Sequence, residues 1–142
     1  MRLRLLATAA VVAVVVPVVA LGGARATTKL TATLSGAVEV PKGPPTGKGT
    51  ATVTITGTKV CWKFVFSGIG KPLASHIHKA PKGKAGPVVV PFGSAFKASG
   101  CTTTSAALAK AIASTPSAFY VNIHNAKYPA GALRGQLAKA GY

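Results

Sequence analysis

Acidic residues are almost absent from this chain: Glu39 is the only one among 142 residues. A single carboxylate rules out paired-carboxylate acid–base catalysis, and there is no aspartate to complete a Ser-His-Asp arrangement. Cysteine is nearly as scarce, with only Cys61 and Cys101 and no CxxC spacing. In an exported chain such a pair reads as a disulfide rather than a redox site. Arginine is missing from most of the chain, Arg134 being the only one after residue 26. Residues 27–142 carry thirteen lysines and that arginine against Glu39, a net charge near +13. Ammonium groups act as hydrated point charges, whereas planar bidentate recognition of bases and phosphates needs guanidinium. With no aromatic residues interleaved among the lysines for base stacking, a specific nucleic-acid reader is not indicated.

Long apolar runs are confined to one place. Arg2 and Arg4 precede a run from Leu5 to Leu21 with Pro17 inside it, and Ala24-Arg25-Ala26 follows. A positive start, an apolar core and a small-x-small site are the pattern of a signal peptide over residues 1–26, with an uncleaved anchor as the alternative. The remaining residues, 27–142, are expected to form one domain, secreted or otherwise extracytoplasmic, with no membrane span once the leader is removed. A monomer is expected. Its cationic surface is either simply solvated or attracted to an anionic cell-envelope polymer or lipid headgroup, or to another extracellular protein.

The rest of the chain alternates with a period of two. Lys29 to Ser35 puts Leu30, Ala32 and Leu34 on one side, and Thr50 to Thr56 does the same with Ala51, Val53 and Ile55. Val60, Trp62, Phe64 and Phe66 share a face in Lys59 to Phe66, so these last two strands are expected to form a hairpin about Thr56-Gly57-Thr58. Further strands are expected over Leu73 to His78, over Pro87 to Phe92 as a short buried strand bracketed by prolines that suit strand ends or edges, and over Ala118 to His124 and Ala132 to Leu137. A helix is expected over Thr102 to Ser114, capped by a threonine and stopped by Pro116, and the tail from Ala138 is expected to fray. Short strands separated by turn signals, with one brief helix, indicate an all-β antiparallel Greek-key β-sandwich, immunoglobulin-like or superoxide-dismutase-like.

All three histidines lie in two of those strands, as His76 and His78 in one and His124 in the other. Side chains two apart on a strand share a face, so His76 and His78 point the same way. If a neighbouring strand brings His124 to them, three neutral imidazoles suit Zn or Cu with a fourth position left for water. The competing reading is structural, with the histidines hydrogen-bonded to backbone carbonyls or to Tyr120, Asn122 and Tyr128, and no cofactor at all. Arg134 is expected to fork onto carbonyls, to stack on a ring such as Tyr128, or to pair with Glu39 if the fold brings them together. A ligand carboxylate or phosphate is its other candidate partner.

Several segments stand in a fixed order along the chain: Leu34-Ser35-Gly36 with Glu39-Val40-Pro41, His76-Ile77-His78, Gly86-Pro87-Val88-Val89-Val90, and Tyr120-Val121-Asn122-Ile123-His124 followed by Pro129-Ala130-Gly131-Ala132-Leu133-Arg134-Gly135-Gln136-Leu137. Together they resemble the CHRD domain of chordin and of many exported bacterial proteins. The resemblance implies an extracellular binding or structural module and no agreed reaction, with Glu39, Tyr120, Asn122, Pro129, Gly131, Arg134, Gly135 and Gln136 as its signature. The family commonly has Glu where this chain has Ala132, so this chain has no carboxylate at that position to pair the arginine or orient a histidine. The His-x-His strand is also similar to that of copper-zinc superoxide dismutase, but the further histidines and the aspartate of a second metal are lacking. An uncharacterised extracytoplasmic enzyme is the remaining alternative.

Overall fold

The computed structural model describes Gly23 and residues 25–141, so the leader expected over residues 1–26 lies almost wholly outside the described residues. Among these residues are nine strands: β1 (Thr27–Ser35), β2 (Lys48–Thr56), β3 (Lys59–Ser67), β4 (Pro72–Lys79), β5 (Val88–Pro91), β6 (Ser99–Thr103), β7 (Phe119–Asn125), β8 (Leu133–Gln136) and β9 (Ala138–Lys139). One helix, α1 (Ala106–Ser114), connects β6 to β7. All pairings are antiparallel, in the order β5-β4-β7-β8-β1-β2-β3-β6. The fold is therefore all-β with one short helix. No helix among the described residues is long and apolar enough to cross a membrane.

The alternation in β1, β2 and β3 is what makes a half-buried face. Leu30, Ala32, Leu34, Ala51, Val53, Ile55, Val60, Trp62 and Phe64 are all buried while the intervening threonines and lysines are not. Gly57, at φ +60°, lets a two-residue turn join β2 to β3 in register Thr56↔Lys59. In the other half, Ile77, Val121, Ile123 and Leu133 are fully buried in the same core.

The sheet turns a corner between the halves. β8 meets β1 through the single pair Ser35↔Arg134, and the chain then crosses so that β9 pairs with β1 at Leu30 and Thr31. The ends of the strand order thereby face each other: Phe92, just after β5, stacks on Trp62 of β3 with ring centroids 4.2 Å apart and planes 6° apart. The segment after β5 then straps the open side, Phe96 N–H donating to the Leu73 carbonyl of β4 and Phe64 N–H of β3 to the Ala98 carbonyl. A nearly closed barrel-like sandwich results.

Three local expectations are corrected. The helix begins at Ala106, with Ser105 Oγ accepting from Leu108 N–H, because Thr102 and Thr103 belong to β6. A run of β-branched threonines fits a pleated edge, and Cys61↔Cys101 lie directly opposite in the β3–β6 ladder, where they form the disulfide. The tail is not frayed, since β9 and the Ala140 N–H hydrogen bond to the Lys29 carbonyl tie it to β1. Finally, β5 is an edge strand rather than a buried one, with Val88 46% exposed and only Val90 fully inside.

Candidate functional site

Because Ile77, Val121, Ile123 and Leu133 point into the core, strand parity sends His76, His78, Tyr120, Asn122, His124, Arg134 and Gln136 to the opposite face. The register sets them side by side: His76 faces Asn122, His78 faces Tyr120, Asn122 faces Arg134, and Tyr120 faces Gln136. An outer face of a sandwich is ordinarily wet, yet Tyr120, Asn122, Arg134 and His78 are buried here. Two loops cover them, one carrying Glu39 between β1 and β2, the other running from Ala80 to Pro87 between β4 and β5.

Arg134 binds both loops to the sheet. Its Nε donates to Glu39 Oε2 at 2.9 Å, an Nη donates to the Lys84 carbonyl at 2.8 Å, and the guanidinium lies 3.9 Å from the centroid of the Tyr120 ring. The ring it covers is Tyr120 and not Tyr128, which sits instead beside Lys127. Tyr120 in turn stacks on His78, centroids 4.8 Å apart and planes 10° apart. Gln136 Nε2 donates to the Ala80 and Ser117 carbonyls. Burial raises the Glu39 carboxyl above its ordinary value, and the Arg134 charge opposes that rise without cancelling it.

The signature glycines are explained by close approach. A Cβ on Gly131, which has φ +148°, would fall 2.2 Å from Glu39 Oε1, and one on Gly135 would fall 2.4 Å from the Thr33 carbonyl where β1 crosses β8. Pro129 lends its carbonyl to His124, and Ala132, wholly buried, carries no carboxylate to Arg134. The arginine is paired all the same, by Glu39 from the other end of the chain.

The three histidines come together. One ring nitrogen from each lies within 4.8 Å of those of the other two. His78 Nδ1 is 2.9 Å from the Gly86 carbonyl and His124 Nδ1 is 2.9 Å from the Pro129 carbonyl. A carbonyl can only accept, so both Nδ1 atoms carry the proton and both Nε2 atoms of the neutral rings present a lone pair. His124 Nε2 lies 3.2 Å from His76 Nδ1 and 3.0 Å from the Asn122 side-chain oxygen, whereas His78 Nε2 is buried with no partner. All three rings titrate below the ordinary histidine value, chiefly because burial disfavours the charged form. His76 is lowered to about 4, with repulsion from His124 and His78 adding to burial.

No sequence pattern pointed to the Gly86, Pro129 and Lys84 carbonyls that orient these side chains, since a backbone acceptor has no residue-type signature. Asn125 was likewise not singled out: buried at the end of β7, its amide donates to the Ile69 carbonyl while its oxygen accepts from Tyr128 N–H.

No curated protein and no solved structure gives a significant match to the chain. The family model described as CHRD domain matches residues 30–137, which includes the Glu39 loop, the histidine strands and the Arg134 strand. These features are thus the framework of one module, and the chain belongs to the CHRD domain family.

Proposed function

We propose that this CHRD domain acts outside the cytoplasm, at or near the cell surface, as a small non-enzymatic binding module whose partner is anionic. One observation carries the reading. All thirteen lysines are exposed, while the only acid, Glu39, is buried against Arg134. The described surface is thus a cation field with no exposed carboxylate to interrupt it, and lysine ammoniums recognise anions through charge more than shape. An envelope polymer bearing phosphates or carboxylates fits that chemistry better than a ligand needing a shaped polar pocket. Export is supported by the leader pattern and by the Cys61–Cys101 disulfide, which persists in oxidising compartments. Binding rather than catalysis is supported by the engagement of Glu39, which leaves no carboxylate free for acid–base work.

The test is co-sedimentation of the mature protein with isolated envelope at about 50 mM and about 500 mM salt, where screening falls from roughly 13 Å to 4 Å. Retention at low salt and release at high salt is expected, with weaker retention for Lys79→Glu/Lys82→Glu/Lys84→Glu. Equal retention at both salts, or none at either, would remove the reading.

A further inference from the structure

We propose that His76, His78 and His124 bind a single transition-metal ion, Cu or Zn, with backbone carbonyls doing the orienting that carboxylates do in many metal sites. The proposal goes beyond the surface reading and does not depend on it.

Two of the rings are already set as ligands. Metal-bound histidine ordinarily donates its second ring N–H to a carboxylate or carbonyl, which fixes the tautomer and turns the other nitrogen to the ion. His78 has this arrangement with Gly86 and His124 has it with Pro129. Purely structural histidines would use the same two bonds, so the remaining nitrogens decide. His78 Nε2 is buried and has no partner. His124 Nε2, with no proton of its own, is met by the Asn122 oxygen at 3.0 Å and by His76 Nδ1 at 3.2 Å. Asn122 Nδ2 is also buried without a partner, so a turned amide can donate to one of these nitrogens, whereas a single cation takes both.

The spacing fits one ion. Bonds of about 2.0 to 2.1 Å in a tetrahedral site place ligand nitrogens roughly 3.3 Å apart, close to the 3.2 Å of the His76–His124 pair. The widest separation is 4.8 Å, so binding would draw those nitrogens together by about 1.5 Å. Imidazole-only donors select Cu or Zn over cations that prefer carboxylate oxygen. His76 and His124 are only half-buried, so a fourth position on their side can take water or a small anion.

The test uses tag-free mature protein stripped with chelator, titrated with zinc sulfate or copper sulfate alone. One equivalent is expected for at least one of the two metals, with Tm raised on the order of 10 °C at a hundredfold excess over Kd. Bound Cu(II) should show nitrogen couplings from three imidazoles by electron paramagnetic resonance. His76→Ala, at a half-exposed position outside the Arg134–Tyr120–His78 stack, should fold, lose at least about tenfold in affinity and show two imidazoles. Absence of stoichiometric Zn and Cu binding to the folded protein would overturn the proposal, and so would a His76→Ala variant that binds as tightly as the parent. Envelope retention should be unchanged in His76→Ala, so failure of either proposal is read separately from the other.

Discussion

Replacing Glu39 by alanine should destabilise the domain severely, because it leaves a guanidinium charge enclosed. Arg134 is 4% exposed and would keep only the Lys84 carbonyl and the Tyr120 face as partners. Removing one member of a buried ion pair costs about 3 to 5 kcal/mol, a large share of the roughly 5 to 15 kcal/mol that keeps a domain folded. A cation–π contact of about 1 to 2 kcal/mol is already present in the parent and cannot compensate. Scaled to a domain of this size, the loss is a fall in Tm on the order of 10 to 20 °C. The pair Glu39→Ala/Arg134→Met removes both charges and should recover at least about 2 kcal/mol of what the two single changes lose together, read by urea unfolding of all four proteins. Arg134→Met alone should be the milder single change, since a carboxyl already raised by burial can take up a proton and become neutral. Moderate salt should leave these differences nearly intact, as the pair is shielded from solvent. A Glu39→Ala protein within about 1 kcal/mol of the parent, or additive single changes, would refute the view that Arg134 holds the loops through a buried charge pair.

Two further outcomes follow from the same structure. The Cys61–Cys101 bridge spans 40 residues and joins β3 to the edge strand β6, so Cys61→Ala/Cys101→Ala should lose about 3 to 4 kcal/mol and expose β6 to hydrogen exchange before β2; an unchanged urea midpoint would count against it. For metal-free protein, His76 has a folded-state pKa below its ordinary 6.5, so its contribution to stability is complete above pH 6.5 and is lost as pH falls through about 4. A shift of that size is worth at most about 3 kcal/mol, and roughly half after solvent screening at a half-exposed ring. Urea midpoints should fall across that window in the parent and less in His76→Ala, a comparison that holds constant the opposite pull of Glu39, whose raised carboxyl favours the folded state at low pH. Parallel profiles for the two proteins would contradict the assignment.

The sequence by itself determined most of the strands and their sides, because period-two alternation is a local property that burial must respect. It placed His76 and His78 on one face before any fold was known, showed that two cysteines and one acid were all the chemistry of those kinds available, and carried the CHRD signature in order. Where it went wrong, a local preference was outweighed by a distant partner. Thr102 and Thr103 joined a strand because β3 lay opposite them, and Ala138 and Lys139 were held because β1 was there to pair with. Only the tertiary structure decided that the polar face is covered. Glu39 reaches Arg134 across 95 positions of sequence, and the loop between β4 and β5 closes over Tyr120 and His78 with backbone carbonyls. Those contacts depend on loop paths and on acceptors that every residue possesses, so no residue pattern announces them. They turn a row of strand side chains into a partly covered cluster in which His78 Nε2 is buried without a partner.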